Sequence, residues 1–247
     1  MSFEAVLPEN QRRADFSRRA YLSELMDEPS SYEELRDCLH DLAQVNRITF
    51  GYRPALEWLE QFAQWGDPLH IVDVGCGGGD MLRRIERWAA DRRIAVRLTG
   101  IDLNPNAVRA AREFTPGGSP IRWISGDAYS FDTAADPVDV VISSLFAHHL
   151  PDDGIVGFLK WMERVARRGW FINDLHRSRT PYLGFKALAA AMRWHRFVRN
   201  DGPVSIRRAF LPEDWRKYAD DAGLSASDVR IFAHWPARLC VARVKPQ

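Results

Sequence analysis

Apolar positions change their period along this chain. In residues 31–45, Ser31-Tyr32-Glu33-Glu34 is a capping-box pattern, with a serine N-cap and an acid three residues on. Behind it Leu35, Leu39, Leu42 and Val45 recur on one helical face. Pro54 suits the first turn of a further helix, with Leu56, Leu59 and Phe62 facing inward. From residue 70 short apolar runs alternate with helical stripes. Residues 70–74, 96–101, 121–124, 138–143 and 170–173 predict five strands. Residues 81–90, 105–114 and 153–166 predict the helices between them, the last with Ile155, Phe158, Leu159, Met162 and Val165 on its inner side. Further on, 181–198 reads as a helix and Asn200-Asp201-Gly202-Pro203 as a turn. Residues 212–222 read as a helix closed by Gly223, and 227–233 and 238–244 as a closing strand pair. This spacing predicts an α/β fold with a parallel, doubly wound sheet. The expected organisation is a helical extension or cap over 1–66 and a main domain over 67–247, with 177–211 as an inserted cap segment.

Composition narrows the function classes. A chain of 247 residues, 46% hydrophobic and 27% charged, suits one α/β domain with additions. Lys and Arg (34) almost balance Asp and Glu (33), which argues against a large nucleic-acid or anionic-membrane surface. Three scattered cysteines (Cys38, Cys76, Cys240) give neither a zinc spacing nor a disulfide framework, so a cytoplasmic location is expected. The first residues lack the apolar core of a signal peptide, and no apolar run is long enough to span a bilayer.

The strongest local signal is Ile71-Val72-Asp73-Val74-Gly75-Cys76-Gly77-Gly78-Gly79-Asp80, a strand, a glycine turn and a helix start. Glycines let backbone approach a ligand, and the helix N-terminus favours a carboxylate. Asp73 is an acid placed for an ammonium group, so the site suits an amino-acid zwitterion. Asp102 ends the second strand, where an acid accepts ribose hydroxyls. Asp127, in Gly126-Asp127-Ala128 after the third strand, can accept an adenine amino group. Each signal alone is matched by ordinary turn or cap chemistry; their order on consecutive strand ends is what points to a nucleoside with an amino-acid end.

In this order the segments resemble the class I S-adenosylmethionine-dependent methyltransferases, over about residues 70–173. The resemblance implies a Rossmann-like, seven-stranded, mostly parallel sheet with an antiparallel C-terminal strand, and S-adenosylmethionine as cofactor. It implies Gly75, Cys76 and Gly77 along the methionine part with Asp73 near its ammonium. Asp102 would hold the ribose, Leu103 lie against adenine, and Asp127 and Ala128 sit at the adenine amino group. Ser143 falls where backbone meets the methionine end. A nicotinamide enzyme is the rival. Its G-x-G-x-x-G fingerprint is broken, because Asp80 occupies the sixth position from Gly75. Tyr182-x-x-x-Lys186 matches a dehydrogenase pair, but on an apolar helical stretch far past the fifth strand.

The acceptor is expected beyond the fourth and fifth strands, near Ser143-Ser144-Leu145-Phe146-Ala147-His148-His149 and Asn173-Asp174-Leu175-His176. A phenol, with a pKa near ~10, keeps its proton at neutral pH, so a base helps. His148 and His149 come first as candidates, then His176, with Asp174 as orienting carboxylate. No metal site is expected, because adjacent histidines point apart on most backbones. The fourth strand lacks the Asn-Pro-Pro-Tyr stretch of nucleic-acid-base methyltransferases. The layout resembles the methyltransferases of quinone and polyketide biosynthesis. A small hydroxylated aromatic or quinone-like acceptor follows, methylated on oxygen, with no nucleic acid as partner and a homodimer allowed. The alternatives are a protein or RNA substrate, or a cofactor-binding module without turnover.

Overall fold

The computed structural model describes residues 14–63 and 68–246. The expected boundary at 66/67 lies outside the described residues. Seven strands form one sheet: β1 (Leu69–Val74), β2 (Val96–Asp102), β3 (Arg122–Ser125), β4 (Val138–Ser144), β5 (Ala166–Leu175), β6 (Val229–His234) and β7 (Arg238–Val244). Their order is β3-β2-β1-β4-β5-β7-β6. All pairings are parallel except those of β7, which runs antiparallel to β5 and β6. The central strands are apolar on both faces, as a sheet covered on both sides requires.

The period-two alternation of the strands divides the core. Val72, Val141, Trp170 and Ile172 face one layer, with helix α5 (Asp152–Val165) and helix α8 (Pro212–Asp221). Ile71, Val140, Ile142 and Phe171 face the other, with α2 (Arg53–Leu59), α3 (Asp80–Arg92) and α4 (Pro105–Phe114). Val138 breaks the alternation: it joins Val141's layer instead of Val140's, because the register against β5 shifts between Val138 and Val140.

The helical extension sits over this sheet. Helix α1 (Tyr32–Ile48) begins with the expected capping box, Ser31 Oγ accepting from Glu34 N. Its Leu35 and Leu39 pack on Ala107 and Ala110 of α4. Its Cys38 and Val45 pack with Ala189, Trp194 and Phe197. Those three belong to or flank α6 (Arg179–Met192) and α7 (Arg196–Arg208). Among the described residues no helix is long and apolar enough to cross a membrane.

Two expectations are corrected. The helix expected over 181–198 breaks at Arg193, which has φ +53°, and a second helix runs straight through Asn200-Asp201-Gly202-Pro203. Tertiary contacts override the turn chemistry. Asp201 accepts from Leu25 N and Met26 N (2.8 and 3.0 Å), and Ser205 Oγ donates to Glu24 (2.9 Å). Gly202 lets the Phe185 ring lie where a Cβ would stand, 2.0 Å away. Strand β5 is also longer than expected, beginning at Ala166 directly after α5. Arg167 and Arg168 hide that start, because strand patterns are read from apolar runs while pairing to β4 and β7 is made by backbone.

Trp123 lies in a slot made by Gly79 and Gly100, where a Cβ would meet the indole at 2.3 and 2.5 Å. Gly100→Ala is expected to cost roughly 1–3 kcal/mol of stability by overpacking. Urea denaturation checks this, and an unchanged midpoint would refute it.

Candidate active site

At the end of β1 the chain reverses through Gly75, Gly77 and Gly79, with φ of +70°, +50° and +74°. L-side chains rarely adopt these angles. Gly75 is needed twice, because a Cβ there would stand 2.5 Å from the Phe146 ring. The turn is pinned to β2. Gly75 N and Cys76 N donate to Ile101 O, and Gly77 N donates to Asp102 Oδ2 at 2.9 Å. Asn104 N donates to the other oxygen of Asp102, also at 2.9 Å. Burial raises the Asp102 carboxyl above its ordinary range, against the lowering by these two N–H groups. Leu39 of α1 lies over Gly77 and Gly78.

A cavity of about 740 Å³ opens at this turn. It touches Gly75, Cys76 and Gly77, then Asp102 and Leu103, then Asp127 and Ala128. Three separate strand-end signals thus share one space. Asp127 accepts from Tyr129 N at 2.9 Å and starts a single 3-10 turn. Leu103 is 70% exposed, an apolar side chain standing at the cavity wall. The Cys76 thiol is buried, which pushes its pKa well up.

Asp73 lies behind the turn, on a second cavity of about 30 Å³ shared with Asp80, Ser144, Asn173 and Arg238. Its Oδ1 is buried with no hydrogen-bond partner. Burial drives its carboxyl well above the usual range, and the charges of Asp80 and Asp102 add to this. Asp80 in turn accepts from Tyr52 OH (2.8 Å) and Asn46 Nδ2 (3.0 Å), which ties the extension to the start of α3. Ser143 does not reach either cavity; its Oγ donates to Val74 O at 2.8 Å. Its neighbours Ser144 and Leu145 line the large cavity instead, Leu145 with φ +55°.

The histidines divide in the same way. His148 and His149 line the large cavity, whereas His176 lines neither and its backbone bridges to Phe210. Asp174 is fully buried and accepts from His148 Nδ1 (2.8 Å), His148 N (3.2 Å) and Leu175 N (2.7 Å). Burial pushes its carboxyl up, but His148 and these donors outweigh it, leaving the pKa lowered.

Residues not singled out from the sequence complete this wall. Glu24, buried and extended just before the 3-10 turn Leu25–Asp27, faces both histidines, and Asp27 in that turn faces His149. Glu24 Oε1 is 3.7 Å from His148 Nε2, and Glu24 Oε2 is 3.8 Å from His149 Nε2. Asp27 Oδ1 is 3.2 Å from His149 Nδ1. Arg208 Nη1 reaches Asp27 (3.0 Å) and Glu24 (3.4 Å). Burial raises the Glu24 carboxyl to about 7 despite His149 and Arg208. Asp27 moves the other way, held well below the carboxylate range chiefly by its bond to His149. The only signal for Glu24 and Asp27 in the sequence is their acidity beside apolar Leu25 and Met26, which is no more than a surface helix would show.

The chain is similar to known methyltransferases. Residues 71–169 match the family described as a methyltransferase domain. The trans-aconitate 2-methyltransferase of Streptomyces coelicolor is 32% identical over 169 residues, 65% of this chain and 52% of that protein. The chain thus spans about half the length of that relative. A ubiquinone biosynthesis O-methyltransferase of Bordetella avium is 27% identical, over 73% of this chain and 72% of its own. Among solved structures, the plantazolicin methyltransferase with a substrate analogue and SAH shares the fold. Its TM-score is 0.62 at 15% identity, covering 85% of this chain and 90% of that one.

Asp174→Ala would strip the acceptor from His148 and from two backbone N–H groups. A loss of roughly 2–4 kcal/mol is expected, since each buried donor left unpaired costs about 1–3 kcal/mol. Denaturant unfolding of the two proteins checks it; equal stability would mean that the triple contact does not hold His148.

Proposed function

We propose that the chain is a class I S-adenosylmethionine-dependent methyltransferase that transfers the cofactor's methyl group to a small, mainly apolar acceptor bearing a hydroxyl. One observation carries this reading: the glycine turn, Asp102 and the Glu24–His149 cluster all face one cavity. Its volume lies in the upper part of the range of small-molecule sites.

The residues present fit the cofactor. Asp73 offers a buried oxygen without a partner behind a turn that a Cβ would fill, which suits an ammonium end. Gly75, Cys76 and Gly77 would line the methionine part, with Ser144 in the place expected for Ser143. Each oxygen of Asp102 takes one backbone N–H, and a carboxylate has about four acceptor sites, so two remain for the ribose hydroxyls. Leu103 would lose its exposure under a flat base, and Asp127 and Ala128 would meet that base's amino edge. When bound, the cofactor supplies an electrophilic methyl group on a sulfonium.

The acceptor's place is argued from what is left of the wall. Leu42 of α1, Phe185 and Leu188 of α6 and Ile206 of α7 make it apolar. We assign to the extension and to residues 177–211 the role of a cap that excludes water and aligns the acceptor. Glu24, Asp27, His148 and His149 are titratable groups on that side, and Glu24 and the histidines would draw the proton from a hydroxyl whose oxygen attacks. A hydroxylated aromatic or quinone-like ring, methylated on oxygen, suits these walls best. The ubiquinone biosynthesis O-methyltransferase relative supports that choice by its name alone.

Isothermal titration with SAH checks the cofactor side. Asp102→Ala should weaken binding roughly 10²–10⁴-fold, as loss of two hydrogen bonds to a charged group costs about 1.5–3 kcal/mol each. Unchanged affinity would sink the assignment. Labelled methyl transfer to a panel of phenols, hydroquinones and carboxylic acids, set against protein and RNA, checks the acceptor side. Incorporation only into macromolecules would overturn the small-molecule reading. His149→Ala should lower kcat by about 10²–10⁴ while SAH affinity stays as it is.

A further inference from the structure

We propose that Glu24, His148 and His149 form a binding site for a divalent transition-metal ion of zinc type on the acceptor wall of the cavity. The site itself stands on geometry; its use in activating an acceptor rests on the function proposed above.

The first observation is the direction of the two rings. His148 turns Nδ1 to Asp174 (2.8 Å), and His149 turns Nδ1 to Asp27 (3.2 Å). A carboxylate on Nδ1 places the proton there and leaves Nε2 with its lone pair. That arrangement is the one in which outer carboxylates orient metal-binding histidines, and here it occurs twice in adjacent residues. The 3-10 turn Ala147–His149 sets the rings side by side, with centroids 4.4 Å apart and planes inclined by 37°. Adjacent histidines were expected to diverge; this turn makes them converge.

The second observation is what both rings face. Each Nε2 looks at one oxygen of Glu24, at 3.7 and 3.8 Å. These distances are too long for hydrogen bonds. They are close to the edge of a tetrahedron around zinc, roughly 3.3–3.6 Å for bonds of 2.0–2.2 Å. One donor atom from each of the three residues lies within 4.8 Å of the other two.

Glu24, Asp27 and Asp174 bring three carboxylates to the two histidines; among the described residues Arg208 is the guanidinium bonded to Glu24 and Asp27, and it and Arg19 also donate to His148 O. Arg208 and Ser205 approach Glu24 only through Oε1 (3.4 and 2.9 Å), so Oε2 stays directed at His149. Two histidines and a glutamate are a donor set of catalytic zinc, which leaves a fourth position open. All three residues line the cavity, so that position faces the acceptor. An acceptor hydroxyl bound there would be more acidic, because the ion stabilises its anion. Activation would then not require a free imidazole base.

The test uses the full chain, stripped with a chelator and titrated with zinc or cobalt(II) alone. One equivalent should bind, and cobalt should show the strong visible absorption of a four- or five-coordinate site. Glu24→Gln and His149→Ala should each weaken zinc by more than the roughly 10–100-fold that loss of an outer partner costs. Asp27→Asn should fall within that range, and His176→Ala should bind as the parent does. The inference is overturned if the parent protein takes up neither ion stoichiometrically, or if Glu24→Gln and His149→Ala bind zinc unchanged. Should both variants fail to fold, the cobalt spectrum of the parent decides: octahedral, weak bands overturn the site. SAH titration runs in parallel. Metal uptake without SAH binding would strike the methyltransferase reading alone, and SAH binding without metal uptake would strike this inference alone.

Discussion

A single carboxylate joins the parts on which the site depends. Asp102 takes Gly77 N with one oxygen and Asn104 N with the other. The glycine turn after β1 and the start of α4 after β2 are thereby held at one point. Without that bridge, among the described residues, the backbone N–H groups of Gly75–Gly77 would be tied to β2 through the Ile101 carbonyl alone. The bridge also keeps a buried charge in place, which is costly unless it is hydrogen-bonded. These two donors take about half the acceptor capacity of Asp102.

The opposite wall is held by a different device. The segment carrying Glu24 and Asp27 has little regular structure of its own, only one 3-10 turn. It is fastened from α7, by Asp201 to two backbone N–H groups and by Ser205 and Arg208 to the acids. α7 is in turn packed on α1 and α6. The acids therefore reach the histidines through a chain of contacts that begins far along the sequence. This explains why a helix persists through Asn200-Asp201-Gly202-Pro203: Asp201 is bonded across to the early segment instead of to its own backbone.

The sheet was legible because its signals are local. Apolar runs bounded by glycine and proline, and stripes of period 3.6 between them, depend on neighbours only a few residues away. Residues 105–114 and 238–244 lie in the structure as expected, and the Ser31 capping box forms as the four residues imply. Asp73, Asp102 and Asp127 were legible for the same reason: they lie at or just past the C-terminal ends of β1, β2 and β3, and strand ends share an edge of the sheet. The start of β5 was hidden because Arg167 and Arg168 carry no apolar pattern, though Ala166 pairs with Val138 and Arg168 O accepts from Lys245 N.

The sequence by itself determined the α/β class, the strand order's periodic basis, the glycine turn and the three acids, since each follows from period, turn chemistry or spacing within one segment. Only the tertiary structure decided which polar groups share a wall. His148 and His176 look alike in the chain, yet one lines the cavity and the other lies outside it, and Ser143 yields its place to Ser144. Glu24 became part of the site across a separation of 124 residues, the difference between positions 24 and 148. No local pattern encodes such a meeting, because it is fixed by how α1, α6 and α7 pack on one another and on α4.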